Sequence, residues 1–277
     1  MTPIDLQQYL QRIAFQQSLA PDLDTLSALV QKHTQAIPFE NLDAYLGLPV
    51  ELSTEVIQHK LVGQSRGGYC YEQNALFRAV LNAIGMQVTS LAARVRWGIP
   101  EEVETPASHM LLLVNLAGVD YLVDVGFGVT TPTAPLQLNK REVQVTPHGN
   151  YKITEQAGSY ELAFQQADGW LTLYRFTLQP QQNADYKVFN WYVSTHPDSV
   201  FVKNLVAAKV TDERRYTLRN NELKCYRQGH PPQVTVLAGA EQIQTCLRDY
   251  FNITPPAGLY NKLVQLTEEQ ALLADAC

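Results

Sequence analysis

Cysteine is scarce in this chain: four in 277 residues, at Cys70, Cys225, Cys246 and Cys277. No CxxC pair occurs among them, which excludes a zinc ribbon, and no metal site is expected. Four scattered cysteines do not staple a chain of this length, so a reducing cytoplasm is the expected compartment. Long apolar runs are also missing. The longest, residues 110–114, falls far short of the ~20 residues that cross a bilayer. Positive charge is in deficit, with 21 Lys and Arg against 27 Asp and Glu. A net charge of −6 and a pI near 5.5 argue against nucleic acid as a partner, because a phosphate backbone needs a basic face. There is no internal repeat, low-complexity stretch or long linker. The opening MTPIDLQQYLQR is polar and periodic and does not read as a signal peptide. No membrane partner is expected, and the oligomeric state is not legible. What remains is a chain 45 % hydrophobic and 17 % charged, able to bury a sizeable core as one large domain or two to three small ones.

Residues 1–85 carry helical periodicity. Thr2 offers a cap, Pro3 a first helical position and Asp5 an acid in the first turn. Leu6, Tyr9, Leu10 and Ile13 then share a face. A second helix is expected over 24–36, stopped by Pro38, and a third from Ser53 through Leu61. A fourth is expected over 72–84, closed by Gly85. From Met86 the period becomes two, and strand candidates separated by turn residues run to about 182, as in a small barrel or sandwich. The remainder alternates helical and extended stretches. The parts are expected to pack as one body.

The stretch SRGGYCYEQN, 65–74, places Cys70 between two tyrosines at the mouth of the fourth helix, after Gly67-Gly68. A thiol reacts as its thiolate. The first helical turn offers unpaired N–H groups and the positive end of the dipole, which favour that anion. The same N–H groups suit an oxyanion, and the glycine pair is expected to let the chain turn sharply. The bland reading of Cys70 is a small buried hydrophobe, so a base is required to favour a nucleophile.

Six histidines are available. His33 and His59 sit on helices, and His148, His196 and His230 sit in loops. His109 differs because it opens the apolar strand HMLLLVNL. After Ala117-Gly118 follows VDYLVDVG. A two-residue turn at 117–118 sets Leu116 opposite Val119. One face then carries Met110, Leu112, Val114, Leu116, Val119, Tyr121, Val123 and Val125 and is wholly apolar. The other carries His109 and Asp124 as diagonal neighbours, ~7–8 Å apart between backbones. A one-residue slip would mix polar and apolar groups on both faces. Cys70, His109 and Asp124 thus supply a nucleophile, a base and an orienting acid. Taken singly, His109 reads equally as a surface histidine at a strand edge and Asp124 as a turn residue.

IPFENLD at 37–43, RGGYCYEQN at 66–74, His109 before its strand and DVGFG at 124–128 resemble the arylamine N-acetyltransferase family, in family order. NWYVSTHPDSVF at 190–201 resembles it more loosely. The resemblance implies an α+β fold with a cysteine-protease-like core: a helical bundle (1–85), a β-barrel (86–188) and an α/β lid (189–277). It implies acetyl transfer from acetyl-CoA to an arylamine, arylhydrazine or N-hydroxyarylamine by a ping-pong route, with Cys70 carrying the acetyl group. Exchange of one thioester for another is near balance. An aromatic amine is largely neutral at pH 7, so it attacks before losing a proton, which His109 can take.

By the same resemblance Phe39, Tyr71, Val95 and Phe127 would line the acceptor pocket, and Gly126, Gly128 and Phe201 would approach the cofactor. Ordinary core packing is the competing reading for the pocket residues. Lys203 is a candidate for a CoA phosphate or simply an exposed lysine. Arg66 and Glu40 would pair to hold the Cys70 loop. Val129 stands where some family members carry arginine, at the edge of the acceptor pocket. Other readings stay open: an amide synthase closing a macrolactam from a carrier-bound thioester, a thiol peptidase or transglutaminase, or a binding module with a vestigial triad.

Overall fold

The structure is a computed structural model that describes residues 4–275, with side chains as far as residue 268. The chain begins in helices Leu6–Arg12, Leu23–Ala36, Leu42–Tyr45 and Thr54–Gln58. The last runs on into a π-helical turn, His59–Gly63, and a longer helix follows at Cys70–Ala83. Side-chain caps set the starts. Asp5 accepts from Gln8 N at 3.0 Å and Asp22 from Thr25 N at 2.8 Å. Asp5 is therefore the cap of the first helix rather than a first-turn acid. The cap expected at Thr2 and the helical position expected at Pro3 lie outside the described residues.

Two antiparallel sheets follow. The larger has eight strands, and its first five in spatial order are Leu136–Gln137, Val119–Val123, His109–Leu116, Gln87–Val95 and Gly169–Phe176. Ser159–Gln166, Gly149–Gln156 and Gln144–Thr146 complete it. It curls until its two edge strands meet. Across that seam the Gln144 side chain accepts from Gln137 N at 2.8 Å and donates to Gln137 O at 3.0 Å. An amide side chain thus stands in for strand pairing and leaves the barrel nearly closed, limiting the exposed edges that invite aggregation. The smaller sheet orders Phe39–Glu40, Val206–Val210, Arg214–Arg219, Glu222–Arg227 and Gln233–Val236. Its first strand comes from the helical third of the chain.

The hairpin register is the expected one, with Leu116 opposite Val119 and Leu112 opposite Val123. Its two faces pack into different cores. Met110, Leu112, Val114 and Val123 meet Leu26, Leu29, Phe77 and Leu81 from the helices. Leu111 and Leu122 point into the barrel with Tyr151, Ile153 and Leu162. A third core joins Leu205 and Leu218 to Ile243, Leu247 and Phe251 of the helix Ala240–Phe251.

Five charged side chains lie under the start of the helix Cys70–Ala83. Arg66 Nε donates to Glu40 at 2.8 Å and Arg66 Nη2 to Asp43 at 2.9 Å, so the expected pair is present. Lys60 Nζ bridges Asp43 at 2.6 Å and Glu72 at 2.7 Å, and Glu72 accepts from Tyr69 N at 3.1 Å. Burial, opposed by Lys60, raises the Glu72 carboxyl above its ordinary range. Removing one partner of such a cluster strands a buried charge. Lys60→Met should therefore cost about 3–5 kcal/mol of stability, read as a lower urea midpoint at unchanged slope. A loss below about 1 kcal/mol would show that the cluster acts as a solvated surface network.

Candidate active site

The helix that carries Cys70 starts at Cys70 itself, two residues before the expected Glu72. Its periodic face begins at Glu72, but the first-turn N–H groups of Cys70 and Tyr71 already point away from the helix without intrahelical acceptors. Gly67 and Gly68 are not in the left-handed region. The need there is space rather than a sharp turn. A Cβ on Gly67 would stand 2.2 Å from Pro38 O, and one on Gly68 2.7 Å from a Glu72 carboxylate oxygen. The glycine pair lets this segment lie against residues 38–40, where Glu40 N donates to Gly68 O at 3.1 Å.

A second polar chain holds the same segment from below. Tyr9 Oη meets His33 Nδ1 at 2.9 Å, and His33 Nε2 donates to Gln73 Oε1 at 2.7 Å. Gln73 Nε2 then donates to Pro38 O at 2.7 Å and Gly68 O at 3.2 Å. Burial holds the His33 imidazole down to about 4, so it stays neutral and can accept at Nδ1 while donating at Nε2.

Helix packing brings Cys70 to the first residue of the hairpin. His109 Nε2 lies 2.7 Å from Asp124 Oδ2. Nδ1 is the ring nitrogen left for the Cys70 thiol, which is within hydrogen-bonding reach of the imidazole. Asp124 Oδ1 accepts from Asn74 Nδ2 at 3.0 Å and from Gly126 N at 2.9 Å. The three side chains are almost sealed from water, with Cys70 at 4 %, His109 at 3 % and Asp124 at 1 % exposure. Burial by itself would lower the imidazole pKa. The charge and hydrogen bond of Asp124, with Cys70 adding to both, outweigh it and raise His109 to about 10. Asp124 stays low against the opposing pull of burial, because His109, Asn74 and the Gly126 amide all favour the carboxylate. An imidazolium is thereby held beside sulfur at neutral pH.

Asn74 was not singled out from the sequence, yet it ties the site together. Besides Asp124 it donates to Met110 O at 2.8 Å and accepts from Val125 N at 3.1 Å. The signal was present: a polar residue one turn after Cys70, on the helix face that must meet the hairpin. Gly126 owes its identity to the same packing, since a Cβ there would sit 2.8 Å from Cys70 Cα. Gly128 has φ 88°, a left-handed conformation, and lies against the Phe39 ring.

The other expected residues surround this centre unequally. Phe127 is edge-on to His109 at 5.1 Å between ring centroids and also meets Trp97 and Tyr174. Phe39 packs on Phe201 at 5.8 Å, and Phe201 on Tyr69 at 5.7 Å. Val95 lies opposite Tyr174 on the neighbouring strand. Tyr71 is fully buried between Tyr69 and Tyr186, and its hydroxyl has no partner. Lys203 pairs at the surface with Asp198 at 3.1 Å. Trp97 and Tyr174 were not anticipated as site residues. Among the described residues no group of three or more His, Cys, Asp or Glu is placed to hold a metal, and no helix is long and apolar enough to cross a membrane.

Iodoacetamide at pH 7 should find Cys70 first, because its sulfur stands at a helix N-terminus beside the His109 imidazolium. Burial pushes the Cys246 thiol up to about 12, with Asp249 adding to it, and Cys225 lies on a strand of the smaller sheet rather than at a helix start. Peptide mapping that shows Cys70, Cys225 and Cys246 alkylated at similar rates would remove the activated-thiolate argument. Cys277 lies outside the described residues.

Known proteins are similar to this chain in sequence and fold. The profile of a family described as N-acetyltransferase matches residues 22–258. An arylamine N-acetyltransferase from Mycolicibacterium smegmatis is 43 % identical over 251 residues, 89 % of this chain and 91 % of the relative. One from Escherichia coli K12 is 37 % identical over 254 residues, 91 % of this chain and 90 % of the relative. The solved structure of Mycobacterium marinum arylamine N-acetyltransferase in complex with CoA superposes with a TM-score of 0.90 at 40 % identity, covering 96 % of this chain and 99 % of that one.

Proposed function

This chain belongs to the arylamine N-acetyltransferase family, and from that premise we propose that it carries an acetyl group from acetyl-CoA to an aromatic amine, hydrazine or N-hydroxyarylamine by way of Cys70. The observation that supports this most is the sealed Cys70–His109–Asp124 cluster, in a chain similar over nearly its whole length to an enzyme solved with CoA.

The chemistry closes on itself. The Cys70 thiolate attacks the acetyl-CoA carbonyl, and the oxyanion that forms faces the first-turn N–H groups at Cys70 and Tyr71. The bond from carbon to CoA sulfur breaks, and CoA leaves with the proton of the His109 imidazolium. His109 is then neutral and able to act as base. The amine attacks the acetyl-cysteine carbonyl, His109 takes the proton released, and the carbon–sulfur bond breaks. Thiolate and imidazolium are restored, and the amide departs. Asp124 orients the ring and stabilises its charged form in each half-reaction.

In this reading Phe127, Phe39, Val95 and Tyr71 form the apolar side that receives the aryl ring. Gly126, Gly128 and Phe201 border the path of CoA. We propose a cytoplasmic location, which suits the three described cysteines, all of them free.

Acetyl-CoA alone should add one acetyl mass to the peptide that contains Cys70, and arylamines should then discharge it. An unmodified Cys70 after prolonged incubation, or an acetyl group on another residue, would overturn the proposal.

A further inference from the structure

Arg215 is an arginine that is almost wholly buried, at 5 % exposure, and among the described residues it forms no ion pair with a carboxylate. It stands on the strand Arg214–Arg219 of the smaller sheet, far from Cys70 in sequence. A buried cation without an acid is costly unless its donors are all engaged. Here both terminal nitrogens are engaged by carbonyl oxygens of the barrel loops. Nη1 donates to Val129 O, and Nη2 donates to Thr131 O at 3.3 Å and His148 O at 3.2 Å. The planar fork of a guanidinium suits such a set, and a lysine ammonium does not.

The loop that Arg215 grips is held at each residue. Gly128 N donates to Thr131 Oγ1 at 2.7 Å. Tyr151 Oη donates to Thr130 O at 2.9 Å and lies 3.2 Å from Thr131 O. His148 fastens the same seam through its ring, with Nδ1 3.0 Å from Thr133 Oγ1 and Nε2 donating to Thr211 O. The loop continues directly from the residues that wall the centre. Gly126 lies against Cys70 Cα, Phe127 against His109, and Gly128 against Phe39.

We infer that Arg215 is a positioning residue for the transfer reaction, a cation from the smaller sheet that fixes residues 128–131 and so sets the substrate-facing wall of the site. It touches none of the reacting groups. Its loss should loosen the wall while leaving the Cys70–His109–Asp124 cluster, whose hydrogen bonds it does not share, intact. The inference rests on the acetyl-transfer reading given above.

Arg215→Lys retains the charge and loses the fork. The acetyl-CoA concentration for half-maximal acetylation of Cys70 should rise about tenfold, with the limiting rate within about threefold. Alkylation of Cys70 by iodoacetamide at pH 7 should stay within about twofold, since that small reagent does not use the wall. Tyr151→Phe, a milder change that takes one donor away from the Thr130 and Thr131 carbonyls of the same loop, should raise the half-saturation about threefold and decides the matter if Arg215→Lys does not fold. Unchanged half-saturation in the folded variants would overturn the inference. So would a parallel fall in alkylation, which would make Arg215 a general scaffold residue. If the wild type takes no acetyl group at all, the functional reading fails and this inference falls with it. If the wild type is acetylated and the variants match it, only the inference fails.

Discussion

Cys70→Ser leaves a folded protein with no measurable transfer, a loss on the order of 10⁴-fold or more in turnover. The substitution changes one atom in a packed site, so the surrounding cores have no reason to rearrange. The chemistry changes completely. His109 is held charged near neutral pH by Asp124, and an imidazolium cannot serve as base for a serine hydroxyl. A hydroxyl ionises far less readily than a thiol and gains little from a helix N-terminus at pH 7. The measurement is steady-state acetylation of an arylamine beside a far-UV spectrum and a urea transition. A folded serine variant that retains more than about one per cent of turnover would take Cys70 out of the proposed mechanism.

Asp124→Asn should cost about 10³–10⁴-fold in turnover, and Asp120→Asn no more than a few-fold. Both acids belong to one hairpin face, but their partners differ. Asp124 holds His109 Nε2 at 2.7 Å, whereas Asp120 accepts from Asn115 Nδ2 at 2.7 Å beside the turn. An amide at 124 keeps the shape, favours the wrong imidazole tautomer and cannot stabilise the imidazolium. Alkylation of Cys70 at pH 7 should therefore slow in the 124 variant and stay unchanged in the 120 variant.

A linked stability effect has a definite sign. His109 is raised to about 10 in the fold against an ordinary value near 6.5. Its contribution is complete below about pH 6.5 and is lost as pH climbs through 10. Urea midpoints followed from pH 6.5 to 10 should fall more steeply in the wild type than in Asp124→Asn. Equal loss of turnover in the two aspartate variants, or parallel pH profiles of wild type and Asp124→Asn, would assign the acid's role elsewhere.

The local features of this protein were legible without its structure. Helical spacing and capping residues located most of the helices, and alternation located most of the strands. The hairpin register followed from a single constraint: only one pairing keeps Met110, Leu112, Val114 and Leu116 on an apolar face with Val119, Tyr121, Val123 and Val125. That register is the one observed, and with it came the closeness of His109 to Asp124. The N-terminal cysteine of a helix was visible as well, although the helix was expected to open two residues later.

Tertiary structure decided everything that depends on segments meeting from a distance. Phe39–Glu40 is too short to show a period, and it becomes a strand only because Val206–Val210 lies beside it. The barrel seam is closed by one glutamine side chain, Gln144, which no backbone pattern announces. Asn74 looks like any polar helix residue until packing buries it between Asp124, Met110 O and Val125 N. Arg215 looks like a surface charge on an edge of alternating residues until barrel carbonyls surround it. Periodicity, caps and turns are written in neighbouring residues because they arise from local backbone geometry and from which face must leave water. The burial of a polar group against partners a hundred residues away depends on how complete surfaces fit, and it acquires its energy only when they close and exclude solvent.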